Sequence, residues 1–334
     1  MQSMTVPHFD LVVIGSGPAG HKGAIAAAKL GKQVAIVDKL PMIGGVCLHT
    51  GTIPSKTLRE AVLYLSGFRQ RAFYGRDYTL RDRIASKDLS FRVLEVVNRE
   101  LQVLRDQLKR NGVRILSGHA KFLSPNRLRV EGSDATEEVS MDHVLIACGT
   151  RPAHDPRIPI DGRRVFDSDR FLIEEHHQIP RTATIVGGGV IGIEYASMLS
   201  ALGVEVTVVE ARPALLEFVD REVVEALQYH MRHNNTVFRL NERVESVTID
   251  DRDRVIAQLV SGKRLISDIL LYAVGRQANT DSLNLDAAGV QVAKRGLLQV
   301  NEFFQTSVPH IYAAGDVVGF PSLASTAMEV YPIT

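Results

Sequence analysis

Short apolar runs and amphipathic runs alternate along the chain, and one arrangement of them occurs twice. Each copy has a short apolar run, a glycine-rich turn, an apolar helix pattern that ends at a glycine, and a second apolar run. This order predicts a parallel βαβ unit. The predicted elements are strand 9–14, helix 18–30 and strand 33–38 in the first copy, and strand 184–186, a helix ending near 202 and strand 205–210 in the second.

A long amphipathic helix and several short strands are predicted outside the two copies. Over 86–111, apolar residues recur every three or four positions, which is typical of a helix that buries one face. A proline-rich stretch at 152–159 indicates a linker between domains. The further predicted strands are 114–117, 128–130, 143–147, 236–239, 243–249 and 269–274.

The glycine-rich turns follow the pattern Gly-x-Gly-x-x-Gly, and an acidic residue follows each at the same distance. Asp38 lies 23 positions after Gly15, and Glu210 lies 23 positions after Gly187. The glycines permit a tight turn and close approach of a pyrophosphate to the helix N-terminus, while the acid accepts a hydrogen bond from a ribose 2′-hydroxyl. One such turn is a weak indication, but two complete copies predict two dinucleotide sites. The glycines are Gly15, Gly17 and Gly20, and Gly187, Gly189 and Gly192.

The composition excludes several other classes of protein. The 334 residues are 45% hydrophobic, which is enough for two or three domains with their own cores. Lys plus Arg number 39 against 38 for Asp plus Glu, so the chain carries no footprint for nucleic acid. Two cysteines argue against a disulfide-stapled secreted protein, and neither a signal peptide nor a membrane-spanning run is predicted. We expect a cytoplasmic protein with no nucleic-acid partner, no membrane partner and no metal.

The run from Gly44 to Lys56 contains one cysteine, Cys47, and the position five residues on is Thr52. This run resembles the redox-active segment of the flavoprotein disulfide reductases, which carry a C-x4-C pair beside the flavin. Only half of that pair exists here, and a lone thiol cannot pass two electrons on as an intramolecular dithiol. Three later segments resemble the same family, so the resemblance covers about 9–327; they are 145–152, 271–276 and 306–316.

The resemblance implies an α/β fold with two Rossmann-like dinucleotide-binding domains, one inserted in the other. It implies a discontinuous FAD-binding domain at 1–155 and 276–334 and an inserted NAD(P)-binding domain at 156–275. The sequence leaves the family pattern after Met328. We therefore expect a C-terminally truncated chain with an incomplete last helix and without the dimerisation domain, whereas full-length relatives are expected to be homo-oligomers.

The resemblance also implies which residues bind each cofactor. Lys56 and Glu194 match a pair beside the flavin, where a fixed cation stabilises the reduced ring, and Cys47 is a further catalytic candidate. The residues assigned to FAD are Gly15, Gly17, Pro18, Gly20, Asp38, Lys39, Gly45, Thr52, Lys56, Gly149, Gly275, Gly315 and Asp316. The residues assigned to NAD(P) are Gly187, Gly189, Val190, Ile191, Gly192, Glu210 and Arg212.

Within this family, the segments 45–56, 275–283 and 319–325 resemble the soluble pyridine nucleotide transhydrogenases. The expected reaction is therefore FAD-dependent hydride transfer between NADPH and NAD+. One alternative is an NAD(P)H-dependent flavoprotein that reduces a quinone, oxygen or peroxide, with Cys47 cycling through sulfenic acid. The other alternative is a non-catalytic, truncated nucleotide-binding fragment.

The nucleotide preference stays open at the end of the second copy. Glu210 favours the free 2′-hydroxyl of NAD and would repel a 2′-phosphate. Arg212, two residues later, could bind the 2′-phosphate of NADP if its side chain turned inward. An enzyme that uses both nucleotides and an enzyme that uses NAD alone are both compatible with this pair.

Two cysteines and two histidines carry narrower predictions. A position at the start of a helix would lower the pKa of Cys47 and favour the thiolate. Cys148, at the end of an apolar strand, is predicted to be a packing residue. His21, in the helix after the first glycine turn, and His49, beside Cys47, are predicted to lie near the cofactor.

Overall fold

A computed structural model describes residues 6–39, 42–75, 84–133, 135–171 and 179–329 of the chain. Its strands are β1 (His8–Ile14), β2 (Val34–Asp38), β3 (Arg114–Ser117), β4 (His119–Ser124), β5 (Arg127–Glu131), β6 (Thr136–Ile146), β7 (Thr150–Pro152), β8 (Val165–Asp167), β9 (Thr182–Val186), β10 (Glu205–Val209), β11 (Thr236–Arg239), β12 (Val244–Ile249), β13 (Val255–Leu259), β14 (Arg264–Ser267), β15 (Ile269–Tyr272), β16 (Arg276–Ala278) and β17 (Ile311–Ala313). Its helices are α1 (Pro18–Lys29), α2 (Gly45–His49), α3 (Thr52–Leu65), α4 (Arg71–Tyr74), α5 (Ser86–Arg110), α6 (Val190–Ala201), α7 (Arg221–His233) and α8 (Ala324–Glu329).

The chain folds into two compact units, and the second interrupts the first. Unit 1 takes in the described residues of Met1–Ile53, Val96–Arg151 and Arg276–Thr334, and unit 2 those of Pro54–Glu95 and Pro152–Gly275. The α/β fold with one dinucleotide-binding unit inserted in the other is thus confirmed. The domain boundaries given by the sequence stay a prediction; the division by contacts also assigns 54–95 to unit 2.

Unit 1 is built on a seven-stranded sheet in the order β3-β2-β1-β6-β5-β4, with β17 beside β6. The central strand β1 pairs in parallel with both β2 and β6, so Val13 lies between Ile36 and Leu145. Strands buried on both faces read as continuous apolar runs, as the end of β1 does. The turn after β1 and the end of β2 consequently lie at one edge of the sheet, which is where nucleotides bind to such folds.

The two faces of this sheet bury separate hydrophobic clusters. Successive residues of a strand point to opposite faces. Val12 and Ile14 accordingly belong to a cluster with the side chains of β4 and β5, among them the fully buried Phe122. Val13 belongs to a second cluster, which covers it with side chains of α1 and α5, including the fully buried Leu108.

Unit 2 repeats the same design with fewer strands. Its five-stranded sheet has the order β11-β10-β9-β15-β8 and is parallel throughout. Ile185 in β9 lies between Val208 and Leu271, and α6 packs Ile193 and Ala196 into the same core. The strands β12, β13 and β14 form a separate antiparallel sheet. The glycine turn of unit 2 follows β9 as that of unit 1 follows β1.

The predicted βαβ elements and the long helix are confirmed to within two residues at their ends, and the differences lie elsewhere. The strand predicted at 143–147 is the end of an eleven-residue strand, β6. The first half of β6 pairs with β5 and contains polar residues, so the apolar pattern in the sequence covered only the second half. No helix was expected at α7, which buries Val224, Gln228 and Met231. None of the described helices combines the length and the apolar character needed to cross a bilayer.

Candidate nucleotide and redox sites

The turn after β1 is so tight that only glycine fits at two of its positions. Gly15 has φ +101°, and a Cβ there would lie 2.3 Å from the carbonyl oxygen of Ala147. A Cβ on Gly20 would lie 1.9 Å from the carbonyl oxygen of Gly15. The N–H of Gly15 donates to the carbonyl of Val37 at 2.8 Å, which ties the turn to β2. These contacts hold the first turn of α1 close to the ends of both strands.

Gly17 is different, because the space beside it is open. It is the N-cap of α1, Pro18 follows as the first helical residue, and no described atom lies within 4 Å of the position that its Cβ would take. A Cβ on Gly45 would lie 3.0 Å from the Cα of Gly17, so a second glycine borders this space. An open cradle at the N-terminus of a twelve-residue helix fits the pyrophosphate of a dinucleotide.

Asp38 ends β2 beside this cradle and is held by its neighbours. Its Oδ2 accepts hydrogen bonds from the N–H of Ser16, at 2.7 Å, and from the Ser16 hydroxyl. Its Oδ1 accepts from the N–H of Lys39 at 2.7 Å. The Ser16 hydroxyl also accepts from the N–H of Gly44 at 3.0 Å, which connects the glycine turn to the segment that carries Cys47.

Asp316 belongs to a second, partly buried polar network of unit 1, and Gly315 before it lies against Ala19 of α1. The hydroxyl of Thr150 donates to its Oδ2 at 3.4 Å, and Arg276 donates to the hydroxyl and the carbonyl of Thr150 at 2.9 and 2.8 Å. Burial raises the pKa of Asp316, and the positive charge of Arg276 opposes this rise. Gly149 and Gly315 flank the network with φ +63° and +79°, conformations that other residues rarely adopt.

Cys47 lies in α2, and its predicted acidity is wrong. Burial raises the pKa of its thiol, and the nearby charge of Asp316 adds to the rise. Hydrogen bonds that the sulfur accepts from the side chain of Thr52 and the backbone N–H of Ile53 lower the pKa but do not overcome burial. A helix of five residues supplies too little dipole to compensate for lost solvation. The thiol is therefore protonated near neutral pH.

Cys148 has the packing role predicted for it. It packs against the core cluster of β4, β5 and β6, and burial raises the pKa of its thiol to about 12. Its carbonyl accepts a hydrogen bond from the Asn279 amide at 3.0 Å. Both cysteines are free thiols.

Of the two histidines predicted near the cofactor, His21 is buried and His49 is half-buried. His21 is 3% exposed, its pKa is lowered by burial, and its Nε2 has no partner among the described residues. A hydrogen bond to the backbone of Leu104 joins His21 to α5. The Nε2 of His49 lies 2.9 Å from the carbonyl oxygen of Ile43. Their approach to a cofactor stays a prediction.

The turn after β9 reproduces the geometry of the first turn. Gly187 has φ +112°, and a Cβ there would lie 2.3 Å from the carbonyl oxygen of Ala273. A Cβ on Gly192 would lie 1.9 Å from the Gly187 carbonyl oxygen, whereas no described atom lies within 4 Å of the Cβ position of Gly189. The second unit therefore has the same open cradle at the N-terminus of α6, and it also fits a dinucleotide pyrophosphate.

Three further predicted residues border this unit's turn or its last strand. Val190 and Ile191 open α6, and Val190 is 56% exposed at the helix start. Gly275, after β15, has φ +126°, and its carbonyl accepts a hydrogen bond from the N–H of Ala153. That bond holds together the two ends of the inserted segment.

Glu210 follows β10, and Arg212 closes on it. Its carboxylate is 7% exposed and accepts from the N–H of Gly188 at 2.6 Å and from the N–H of Arg212 at 2.9 Å. The guanidinium of Arg212 also donates to both carboxylate oxygens, at 3.0 and 3.1 Å, and contacts Glu217 at 3.4 Å. Burial alone would raise the pKa of Glu210, but the hydrogen bonds from Arg212 and Gly188 outweigh it and lower the pKa.

Lys56 and Glu194 meet within unit 2. The Nζ of Lys56, on α3, lies 2.5 Å from Oε1 of Glu194, on α6. The lysine side chain is 60% exposed and the glutamate side chain 19%, so the glutamate is the fixed member of the pair. The pair predicted from the sequence is formed.

The contacts separate the predicted site residues into two groups, one in each unit, and their ligand roles stay predictions. Four further residues support them and were not predicted as site residues, although two of the four occupy the second position of a glycine motif. The group of unit 1 is Gly15, Gly17, Pro18, Gly20, Asp38, Lys39, Gly45, Cys47, Thr52, Gly149, Gly315 and Asp316. The group of unit 2 is Lys56, Gly187, Gly189, Val190, Ile191, Gly192, Glu194, Glu210, Arg212 and Gly275. The supporting residues are Ser16, Thr150, Gly188 and Arg276.

The chain has two dinucleotide cradles, each with its own acidic acceptor, and a cysteine segment lies between them in the sequence. These features define a flavin- and nicotinamide-dependent oxidoreductase. Comparison with known proteins agrees with this class. The profile of the pyridine nucleotide-disulphide oxidoreductases matches residues 9–330, and the chain belongs to that family.

Relatives within the family confirm the group indicated by the motifs. The soluble pyridine nucleotide transhydrogenase of Mycobacterium bovis (strain BCG / Pasteur 1173P2) is 50% identical over 323 residues, which cover 96% of this chain and 68% of that protein. That of Serratia proteamaculans (strain 568) is 41% identical over 322 residues, with the same two coverages. The chain thus spans about two thirds of the length of these relatives.

Solved structures agree on the fold. The Cu(II) complex of the HOCl-induced flavoprotein disulfide reductase RclA from Escherichia coli superposes with a TM-score of 0.85 at 28% identity, covering 98% of this chain and 69% of that one. LpdA from Mycobacterium tuberculosis gives a TM-score of 0.87 at 27% identity, covering 97% of this chain and 70% of that one. The fold is therefore that of the flavoprotein disulfide reductases.

Proposed function

We propose that the chain catalyses FAD-dependent hydride transfer between NADPH and NAD+. The observation that carries this proposal is the pairing of Cys47 with Thr52. A disulfide reductase needs a second thiol at that position, and here a hydroxyl hydrogen-bonds to a half-buried, protonated thiol instead. The only other cysteine, Cys148, packs against a hydrophobic core. With no dithiol route, a second nicotinamide nucleotide is the simplest electron acceptor.

Unit 1 would hold FAD. The cradle at Gly17 and Gly45 would take the pyrophosphate, Asp38 the hydroxyls of the adenosine ribose, and Asp316 the ribityl chain. The Thr150–Arg276 network orients Asp316 and compensates its charge. When bound, the flavin accepts a hydride from one nicotinamide and donates it to another.

Unit 2 would hold the nicotinamide nucleotides in turn. The cradle at Gly189 and the first residues of α6, Val190 and Ile191, would take the pyrophosphate. Glu210 and Arg212 occupy the position at which such folds bind the adenosine ribose, so they would contact either its 2′-hydroxyl or its 2′-phosphate. Relatives that are 41–50% identical to this chain are named soluble pyridine nucleotide transhydrogenases, which supports the use of two pyridine nucleotides.

Lys56 would supply a fixed positive charge, and Glu194 would hold it in place. Negative charge develops on a flavin when it takes up a hydride, and a preorganised cation stabilises such charge without reorganisation. The 2.5 Å ion pair limits where the flexible lysine side chain can place its ammonium group. We therefore assign Lys56 a catalytic role and Glu194 a positioning role.

The test begins with the visible absorbance spectrum of the purified chain, followed by anaerobic addition of NADPH and then of thio-NAD+. We expect the absorbance of oxidised flavin, its loss with NADPH, and its return together with the absorbance of reduced thio-NAD. The variant Cys47→Ser should behave in the same way. A colourless protein that takes up no added FAD would refute the enzymatic function. A protein that NADPH reduces and thio-NAD+ does not reoxidise would point to a quinone, oxygen or peroxide acceptor.

A further inference from the structure

The carboxylate of Glu210 is saturated by its own chain. Oε2 accepts from the N–H of Gly188 at 2.6 Å and from Nη2 of Arg212 at 3.1 Å, and Oε1 accepts from the N–H and Nε of Arg212 at 2.9 and 3.0 Å. A carboxylate offers about four lone-pair positions. Since donors among the described residues fill all of them, a ribose hydroxyl can donate to Glu210 only by displacing one.

The corresponding carboxylate of unit 1 provides an internal comparison. Asp38 accepts from the N–H and hydroxyl of Ser16 and from the N–H of Lys39. Within the described part of the chain, no guanidinium contacts it, and Oδ1 accepts one hydrogen bond. One acceptor position therefore remains for a ribose hydroxyl. The two copies share sequence spacing and turn geometry, so the side chain of Arg212 makes the difference.

Of the four donors on Glu210, only two are free to leave. The backbone N–H groups are fixed, because Gly188 lies within the tight glycine turn and the carbonyl of Arg212 accepts from the N–H of Asn241 at 3.1 Å. The Arg212 side chain is instead 44% exposed, and its third contact, to Glu217, is long at 3.4 Å. Its guanidinium is thus the movable part of the cluster.

We propose that Arg212 selects between the two nucleotides by occupying two positions. Paired with Glu210, it compensates the carboxylate and presents a cationic edge to a 2′-phosphate. Swung away, it uncovers the Glu210 lone pairs that a free 2′-hydroxyl needs. The paired position suits NADP(H) and the open position suits NAD(H), so one side chain lets a single unit accept both. This inference rests on the proposed function, which has both nucleotides visit unit 2.

The pairing of Arg212 with Glu210 also reduces the repulsion between the carboxylate and the 2′-phosphate of NADP(H). A bare carboxylate would repel a 2′-phosphate at close range, but a bidentate arginine compensates its charge, and Nη1, whose contact with Glu217 is long at 3.4 Å, keeps N–H donors for the phosphate. Arginine suits this role better than lysine, because its planar fork can bind a carboxylate through one edge and a phosphate through another.

The test is calorimetric titration of the flavin-loaded chain with NAD+ and, separately, NADP+, so that no electron transfer takes place. The variant Arg212→Ala should lower NADP+ affinity roughly ten- to hundredfold, the loss expected for a charge-assisted hydrogen bond. It should leave NAD+ affinity unchanged or raise it. Arg221→Ala is the matched control: it removes a cation of the same unit that is 90% exposed, and it should change neither affinity by more than about twofold.

A second variant reverses the pattern. Glu210→Gln should lower NAD+ affinity roughly tenfold and leave NADP+ affinity unchanged or higher, since Arg212 remains to bind the 2′-phosphate and its charge is no longer compensated by a carboxylate. If Arg212→Ala does not fold, Arg212→Lys decides the question: it keeps the charge but not the bidentate fork, and it should lose NADP+ affinity selectively. Equal losses of both nucleotides, or unchanged NADP+ affinity in the Arg212 variant, would overturn the proposal. Selective binding without transhydrogenation would count against the proposed function alone.

Discussion

Lys56 and Glu194 stand 138 positions apart in the sequence, and their side chains meet in an ion pair of 2.5 Å. Unit 2 achieves this by packing α3 and α6 into one core, in which Val62 of α3 joins Ile193 and Ala196 of α6. The glutamate is anchored on a helix whose face is buried, and the lysine reaches it from an exposed position. The pair is therefore arranged to fix a charge, and exposed ion pairs contribute little to stability.

Replacing Lys56 should separate catalysis from stability. We expect Lys56→Met to lower the rate of thio-NAD+ reduction by roughly ten- to a hundredfold, the loss of one electrostatic contribution to the transition state. Its melting temperature should stay within about 2 °C of the parent, because an exposed ion pair is worth at most about 1 kcal/mol. Arg59→Met is the control, since Arg59 pairs with Glu60 on the same helix and has no proposed role. Equal rates for the two variants would refute the assignment.

Replacing the two kinds of glycine in unit 2, one beside open space and one in tight contact, should cause a binding defect and a stability defect, respectively. Gly189→Ala places a methyl group in the open cradle, where no described atom lies within 4 Å, so the chain should fold normally and bind neither NAD+ nor NADP+. Gly192→Ala forces a Cβ to within 1.9 Å of the Gly187 carbonyl oxygen and should lower the free energy of unfolding by about 2–3 kcal/mol.

Urea unfolding and calorimetric nucleotide titration distinguish these two effects. Gly189→Ala should retain its flavin absorbance, because the cradle of unit 1 is untouched. Normal nucleotide binding by Gly189→Ala would show that the open space beside it is not the pyrophosphate site.

The thiol of Cys47 should react slowly at neutral pH. Burial raises its pKa above the usual value, and only the thiolate is nucleophilic, so alkylation by iodoacetamide should accelerate with pH beyond the pH at which an exposed thiol reaches its plateau. The experiment is best done in Cys148→Ala, which leaves one cysteine in the chain. Thr52→Val removes a hydrogen bond that lowers the pKa, so it should slow alkylation further. Full reactivity at pH 7 would restore Cys47 as a candidate peroxide-reducing centre.

The βαβ units could be predicted because their determinants are local, whereas the Lys56–Glu194 pair was implied by the resemblance to a known family. The tight turns require glycine, so the glycine positions and their spacing to Asp38 and Glu210 indicate the backbone geometry directly. The pKa of Cys47 could not be predicted in the same way. It depends on burial and on the charge of Asp316, a residue distant in sequence, and burial outweighs the local effect of a short helix.

The Arg212 contact shows the same limit at the second site. Its position two residues after Glu210 allows the side chain to point toward or away from the carboxylate, and the sequence favours neither. In the structure the Arg212 side chain points toward the carboxylate, and Gly188 explains why. A Cβ at Gly188 would lie 3.0 Å from Oε2 of Glu210. Glycine at that position lets the carboxylate approach the turn, and the approach leaves the outer side of Glu210 to Arg212.

His21 should make the stability of unit 1 sensitive to mild acid. Burial lowers its pKa below the ordinary value of 6.5, and the charge of Lys22 adds to this, while the hydrogen bond to Leu104 opposes it. In the folded chain the imidazole therefore stays neutral at a pH where the unfolded chain binds a proton. The stability is complete above about pH 6.5 and is lost as the pH falls below it, by at most about 1.4 kcal/mol per pH unit for one proton.

Urea unfolding between pH 5.0 and 7.5 measures this dependence. His21→Met should be less stable at pH 7.5, because it loses the bond to Leu104, but its stability should fall less steeply toward pH 5. His119→Met is the matched control, since His119 is exposed on β4 and should leave the slope unchanged. Parallel curves for His21→Met and the parent would mean that His21 takes up its proton equally well in the folded chain, with its unpartnered Nε2 reaching an acceptor.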